Sequence, residues 1–164
     1  MRRRIFLFSS IAAAGLAGCA AGPDSFSMAP NSTLIVVRHA DRKDEDLTAA
    51  GRARARALVK ALDGMKLDAI YSPGIKRNLD TAMPLSKARS LPITRRPQEA
   101  PTAPLVTEGA GKTVIWVGNK GNIAQIWEDL RLTDPAPLEY GDLFIVRSDA
   151  TGAVTIERRR FGAS

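Results

Sequence analysis

The chain has 164 residues, 45% hydrophobic and 25% charged, a globular balance that argues against disorder, collagen-like repeats and a polytopic membrane protein. One domain is expected. A single cysteine, Cys19, and a single histidine, His39, exclude an internal disulfide, a Cys/His zinc cluster and any mechanism that needs two histidines of this chain.

The first 20 residues, MRRRIFLFSSIAAAGLAGCA, are a basic start, an apolar run and then small residues, which is the pattern of an export signal. A mature membrane span needs about 20 apolar residues in a row, and the run from Ile5 to Cys19 is broken by Ser9, Ser10, Gly15 and Gly18. Leu16-Ala17-Gly18-Cys19 resembles a bacterial lipobox: residues 1–18 would be removed and Cys19 left as a lipidated N-terminus. Arg3-Arg4-Ile5-Phe6-Leu7 resembles a twin-arginine export pattern, the plainer alternative being a Sec signal with an extra arginine. Residues 19–32 are rich in Ala, Gly, Pro and Ser and suit a tether between lipid and domain. A membrane-bound envelope protein on the periplasmic side is therefore expected. Ala20 lacks the aspartate that holds lipoproteins at the inner membrane, so the expected site is the outer membrane.

Loss of the three arginines at positions 2–4 lowers the net charge from +7 to +4. The remaining basic residues, such as Arg52, Arg54, Arg56 and Arg158 to Arg160, read as solvated faces without interleaved aromatics. No nucleic acid partner is expected.

The folded domain is expected over 33–162. Thr33 to Val37 is a β-branched apolar run ending at Arg38-His39, which predicts a strand buried on both faces that delivers polar residues at its end. Thr48 is the expected N-cap of a helix whose Ala50, Ala53, Ala57, Leu58, Ala61 and Leu62 make an apolar stripe up to Gly64. Asp68 to Tyr71 predicts a strand, and Ile75 to Ala88 a helix that Pro84 should end or kink. A short strand is expected at Leu91 to Thr94. Arg95 to Gly111, with three prolines and two glycines, reads as the one long loop. Thr113 to Val117 predicts a strand, Ile123 to Leu130 a helix, and Leu143 to Val146 with Val154 to Ile156 a hairpin-like pair. Strands alternating with helices imply a three-layer α/β/α sandwich, its sheet mainly parallel with an antiparallel edge.

In such sheets the ligand crevice lies beyond the carboxyl ends of the strands, where this chain carries Arg38-His39, Ser72 to Arg77 and Gly118-Asn119. Two arginines beside a histidine favour neutral, nucleophilic imidazole. The guanidinium fork matches phosphate oxygens bidentately, so Arg38 and Arg77 suit a phosphoryl group that His39 attacks. The arginines supply the charge and the carboxylates show no ligand spacing, so no metal or other cofactor is expected.

These residues bring the chain close to a known family. Val36-Val37-Arg38-His39-Ala40-Asp41, Leu47-Thr48-Ala49-Ala50-Gly51-Arg52-Ala53 and Tyr71-Ser72-Pro73 through Arg77 to Thr81-Ala82 resemble, in order and spacing, segments of the histidine phosphatase superfamily. That family is also called phosphoglycerate-mutase-like, and the likeness is strongest to its short envelope lipoproteins. The resemblance implies a phosphohistidine on His39, phosphate bound by Arg38 and Arg77, and a phosphorylated small molecule or phosphoprotein as partner. It also places Asn119 where the family has a second catalytic histidine. Asn keeps a neutral N–H donor there but carries no positive charge. For the family's general acid the candidates are Asp41, Glu99 and Glu108, against plain ion pairing of Asp41 with Arg42 or Lys43 and plain solvation of the glutamates. Two readings stay open: a phosphatase weakened by Asn119, and a catalytically degenerate phosphate-binding or structural lipoprotein.

Overall fold

Strand β1 (Ser32–Arg38) divides the core in two because its side chains alternate between the faces of the sheet. The computed structural model describes residues 26–163, so the export signal and the Cys19 lipidation position lie outside the described residues. After β1 come β2 (Arg42–Lys43), β3 (Asp46–Leu47), α1 (Ala49–Ala61), β4 (Ala69–Ser72), α2 (Lys76–Arg89), β5 (Ile93–Arg95) and α3 (Thr102–Glu108). The chain then forms β6 (Thr113–Gly118), α4 (Lys120–Asp129), β7 (Asp142–Ser148) and β8 (Val154–Arg160). Leu34 and Val36 pack with Trp116, Ile123, Ile126 and Trp127 under α3 and α4. Ile35 and Val37 pack with Leu58, Leu62, Leu85 and Val117 under α1 and α2.

The sheet runs in the order β5-β4-β6-β1-β7-β8. Pairs β1·β6, β4·β6 and β4·β5 are parallel, and β1·β7 and β7·β8 are antiparallel. This is the three-layer α/β/α arrangement with a C-terminal antiparallel edge. Few large rings are needed: Trp116 is the largest fully buried side chain, and aliphatic residues fill most of the remaining core.

Three local expectations change, and one small element is new. Pro84 sits inside α2 without ending it, because buried Ala82 and Leu85 on either side hold that stretch against the sheet. The segment 95–111 is not all loop. It contains α3, where Pro101 is the N-cap and Pro104 falls in the first turn, positions whose missing N–H has no partner to lose. Helix α4 starts three residues early, at Lys120, since Asn119 and Asn122 close a capping box ahead of it. The residues after His39 fold back as the small hairpin β2–β3, whose turn places Asp44 at φ 54°.

Helix α1 begins against the chain that leaves β1. The Thr48 side chain accepts the Gly51 N–H at 3.0 Å, and the Thr48 N–H donates to the Asp41 carbonyl at 3.0 Å. A Cβ on Gly51 would lie 2.0 Å from that same carbonyl oxygen. Helix propensity alone would favour Gly51→Ala by about 1 kcal/mol. The contact reverses the sign, and the substitution is expected to destabilise the fold by about 1–3 kcal/mol, read as a lowered thermal midpoint; a raised midpoint would contradict the packing.

Candidate active site

The nucleophile candidate is fixed by its backbone first. The His39 N–H donates to the Gly118 carbonyl at 2.8 Å, prolonging the β1–β6 ladder, and the Ala40 N–H donates to Thr81 Oγ1 of α2 at 2.9 Å. The imidazole is 2% exposed. Its Nδ1 lies 2.9 Å from the Ala40 carbonyl oxygen. A carbonyl only accepts, so Nδ1 carries the proton and the Nε2 lone pair is the nucleophilic one. Burial, opposed by that hydrogen bond and aided by Arg38, Arg77 and Arg42, lowers the pKa of His39 from 6.5 to about 4. At neutral pH the ring is uncharged.

Both phosphate-binding candidates flank it. Arg38 ends β1, and its Nη1 donates to the Leu138 carbonyl at 3.2 Å. Its guanidinium lies 4.0 Å from the centroid of the Tyr140 ring, a cation–π contact, and Tyr140 in turn stands 5.8 Å from the His39 ring. Arg77 is not at a strand end but on the first turn of α2, where Nη1 donates to both Glu45 carboxylate oxygens at 2.7 and 2.9 Å. The Nε atoms of both arginines are buried without a hydrogen-bond partner. Two orphaned cationic donors beside one neutral imidazole suit an oxyanion. Tyr140 and Glu45 escaped the sequence reading, since each reaches the site from a segment with no periodicity to place it. An incoming phosphoryl oxygen must compete with Glu45 for Arg77.

The structure sorts the acid candidates. Asp41 accepts from Arg54 Nε at 2.6 Å and from Nη2 at 3.4 Å, not from Arg42 or Lys43, and the Arg54 hydrogen bond holds its carboxyl below the usual aspartate range. Both carboxylate oxygens of Asp41 are thereby engaged by Arg54, which ties the residue after Ala40 to α1. Arg54 Nη1 also donates to the Phe161 carbonyl at 2.9 Å, tying α1 to the C-terminus. Glu108 is gripped by Arg96 Nε at 2.9 Å and Nη2 at 2.6 Å, a hydrogen-bonded pairing that likewise lowers its pKa. Glu99 is exposed and accepts only from Gln98 Nε2, at 2.9 Å, among the described residues.

Arg38 pairs in register with Gly118, so His39 and Asn119 leave neighbouring parallel strands roughly 5 Å apart at the backbone. The Asn119 Oδ1 accepts the Asn122 N–H at 3.2 Å as the cap of α4, which leaves Nδ2 as the end able to donate to a ligand. Gly118 is required beside it: a Cβ there would stand 2.3 Å from Trp116 Nε1 and 2.4 Å from Asn122 Oδ1, the two atoms of a 3.0 Å hydrogen bond. Gln98, Glu99, Asn119, Asn122 and Gln125 line a cavity of 280 Å³. Of the three acid candidates, only Glu99 shares a cavity with Asn119. No group of three or more potential metal ligands occurs among the described residues.

With one histidine in the chain, its ring proton resonance is expected to titrate alone, with a midpoint of about 4. Because the folded pKa lies below the unfolded 6.5, the unfolded chain binds the extra proton, and the stability from this site is full above 6.5 and lost as pH falls to about 4. A midpoint near 6.5 would contradict the buried, arginine-flanked ring.

Residues 34–99 match the sequence model of the histidine phosphatase superfamily (branch 1). Over 73 residues the chain is 33% identical to phosphoserine phosphatase 1 of Hydrogenobacter thermophilus, covering 38% of this chain. That match spans only 35% of the length of the curated relative. A mycobacterial glucosyl-3-phosphoglycerate phosphatase, solved with inorganic phosphate, superposes with a TM-score of 0.58 at 17% identity over 81% of this chain and 98% of that one. The protein histidine phosphatase SixA, solved with tungstate, gives 0.59 at 16% identity over 78% and 96%. Residues 34–99 thus resemble the histidine phosphatase superfamily in sequence, and the fold as a whole is shared with these solved phosphatases.

Proposed function

We propose that this protein is a phosphatase that hydrolyses a phosphomonoester or phosphoprotein through a phosphohistidine on His39, slowed by Asn119 in the place of a second histidine. The observation that carries the reading is a neutral imidazole whose tautomer leaves the Nε2 lone pair free, between two arginines with buried, unpartnered Nε donors. The Nε2 lone pair attacks phosphorus while the bond to the leaving oxygen breaks. Arg38 and Arg77 hold the equatorial oxygens, where charge is spread in the transition state. Glu99 passes a proton to the leaving oxygen, being the one acid candidate not gripped by an arginine. Water then attacks phosphorus and gives its proton to the Glu99 carboxylate, the Nε2–P bond breaks, its electron pair returns to Nε2, and phosphate departs. The relatives' names, a phosphoserine phosphatase and a protein histidine phosphatase among them, support a phosphorylated substrate class.

One observation favours a second reading, a degenerate phosphate-binding lipoprotein: Asn119 has its oxygen committed to capping α4 and brings no positive charge. Losing one preorganised donor in comparable sites costs on the order of 100- to 1000-fold in rate. Asn119→His tests between the two. Toward an aryl phosphate, whose leaving group needs little protonation, activity should rise at least about tenfold, while the lost cap lowers stability by about 1 kcal/mol. The rise should vanish in the double variant with His39→Ala. No turnover by either protein, and no label at His39, would leave the binding reading standing.

We also propose that the protein is held on the periplasmic face of the outer membrane by acyl chains on Cys19, with residues 19–32 as its tether. The lipobox-like Leu16 to Cys19 supports this. Cys19→Ala should release or mislocalise the protein; unchanged membrane fractionation and no lipid mass on the wild type would refute the anchor.

A further inference from the structure

One sizeable cavity lies away from His39. It is a groove of 610 Å³ between α1 and α2, within the size range of ligand sites. Its floor includes Leu47, Ala55, Met83 and Pro84, and Met83, 42% exposed, is one of only two large hydrophobic side chains that the described residues leave in solvent. The rim carries Arg52, Arg56 and Lys87. None of these three forms a salt bridge among the described residues, whereas both acids of the rim, Asp46 and Asp80, are already taken by Lys76 at 2.8 and 2.6 Å. The groove is thus apolar below and has uncompensated positive charge above.

Its near end adjoins the phosphate site. Lys76 lines the groove and is followed by Arg77, whose charge acts on His39, while on the opposing hairpin Asp46 lines the groove and its neighbour Glu45 holds Arg77. From Lys76 to Lys87 is eleven residues of helix, about 16 Å, the length of roughly five residues of extended chain. A ligand with its phosphoryl group on Arg77 can fill this length only as a chain, not as a compact metabolite.

We propose that the α1–α2 groove binds an extended segment of a phosphorylated polypeptide, with apolar residues next to the phosphorylated one and acidic residues about four or five positions away, facing Arg56 and Lys87. The proposal rests on the reading of Arg38 and Arg77 as a phosphate site. It narrows the substrate class to phosphoproteins with an acidic docking sequence.

The test uses the full chain carrying His39→Ala, so that no turnover occurs, and two fluorescein-labelled probes read by polarisation: phosphotyrosine-Ala-Leu-Leu-Asp-Glu and the same peptide ending Lys-Lys. The acidic probe should bind at least fivefold more tightly. Arg56→Glu with Lys87→Glu should remove the difference, and Lys87→Glu alone should reduce it. Vanadate binding in an otherwise wild-type background should be unchanged by either, which also shows that the variants fold. Equal binding of the probes while vanadate still binds would overturn the groove proposal and leave the phosphate site intact. Failure of both vanadate and peptides to bind would overturn the phosphate site and the proposal with it. If dodecanoate binds the groove and neither peptide discriminates, the groove takes an amphiphile and the proposal is overturned.

Discussion

The site depends on how tightly three residues of backbone are held where β1 runs out. His39 is hydrogen-bonded to β6 through Gly118, Ala40 to α2 through Thr81, and Asp41 to the start of α1 through its carbonyl and, by its carboxylate, to Arg54. Each of these is worth only about 1 kcal/mol net, more for the charged one. Together they join a strand and two helices from separate parts of the chain around one imidazole. Thr48, Gly51 and Thr81 therefore act on the chemistry without facing a substrate. They decide where the His39 ring stands, and the Ala40 carbonyl decides which of its nitrogens is free.

Electrostatics then follows from placement. An imidazole buried beside two guanidinium groups cannot afford a proton, so the ring is a nucleophile across the neutral range while the arginines remain fully cationic. Both arginines have internal partners: Tyr140 stacks on Arg38, and Glu45 pairs with Arg77. Their Nε donors remain unpartnered. Such a site holds its charge in place without spending it on salt bridges at every donor, and an anion that also takes Arg77 Nη1 competes there with Glu45.

What the sequence disclosed was what local pattern controls. The apolar run of β1, the Thr48 cap and the alternation of strands and helices were legible because short-range sterics and periodicity determine them. Pro84 misled because tertiary packing of Ala82 and Leu85 overrides a missing helical hydrogen bond. Pro101 and Pro104 misled because proline in a first turn costs nothing, so a proline-rich stretch can still start a helix. Asp41 was placed beside the nucleophile by chain proximity, but its partner Arg54 is brought in by the fold, one turn into α1. Glu45 and Tyr140 reach the site from irregular segments and left no trace in periodicity. Asn119 was found as a departure from a family pattern, while its second task as the cap of α4 was missed because Asn122 lies in what read as a loop.

The account stands on Nε2 of His39 accepting a phosphoryl group, and mass spectrometric mapping after rapid mixing with an aryl phosphate and quenching in base measures that directly. The account predicts an acid-labile phosphoryl adduct on the peptide containing His39, absent from His39→Ala and strongly reduced by Arg77→Ala. Turnover with no adduct at His39, or turnover that persists in His39→Ala, would contradict it.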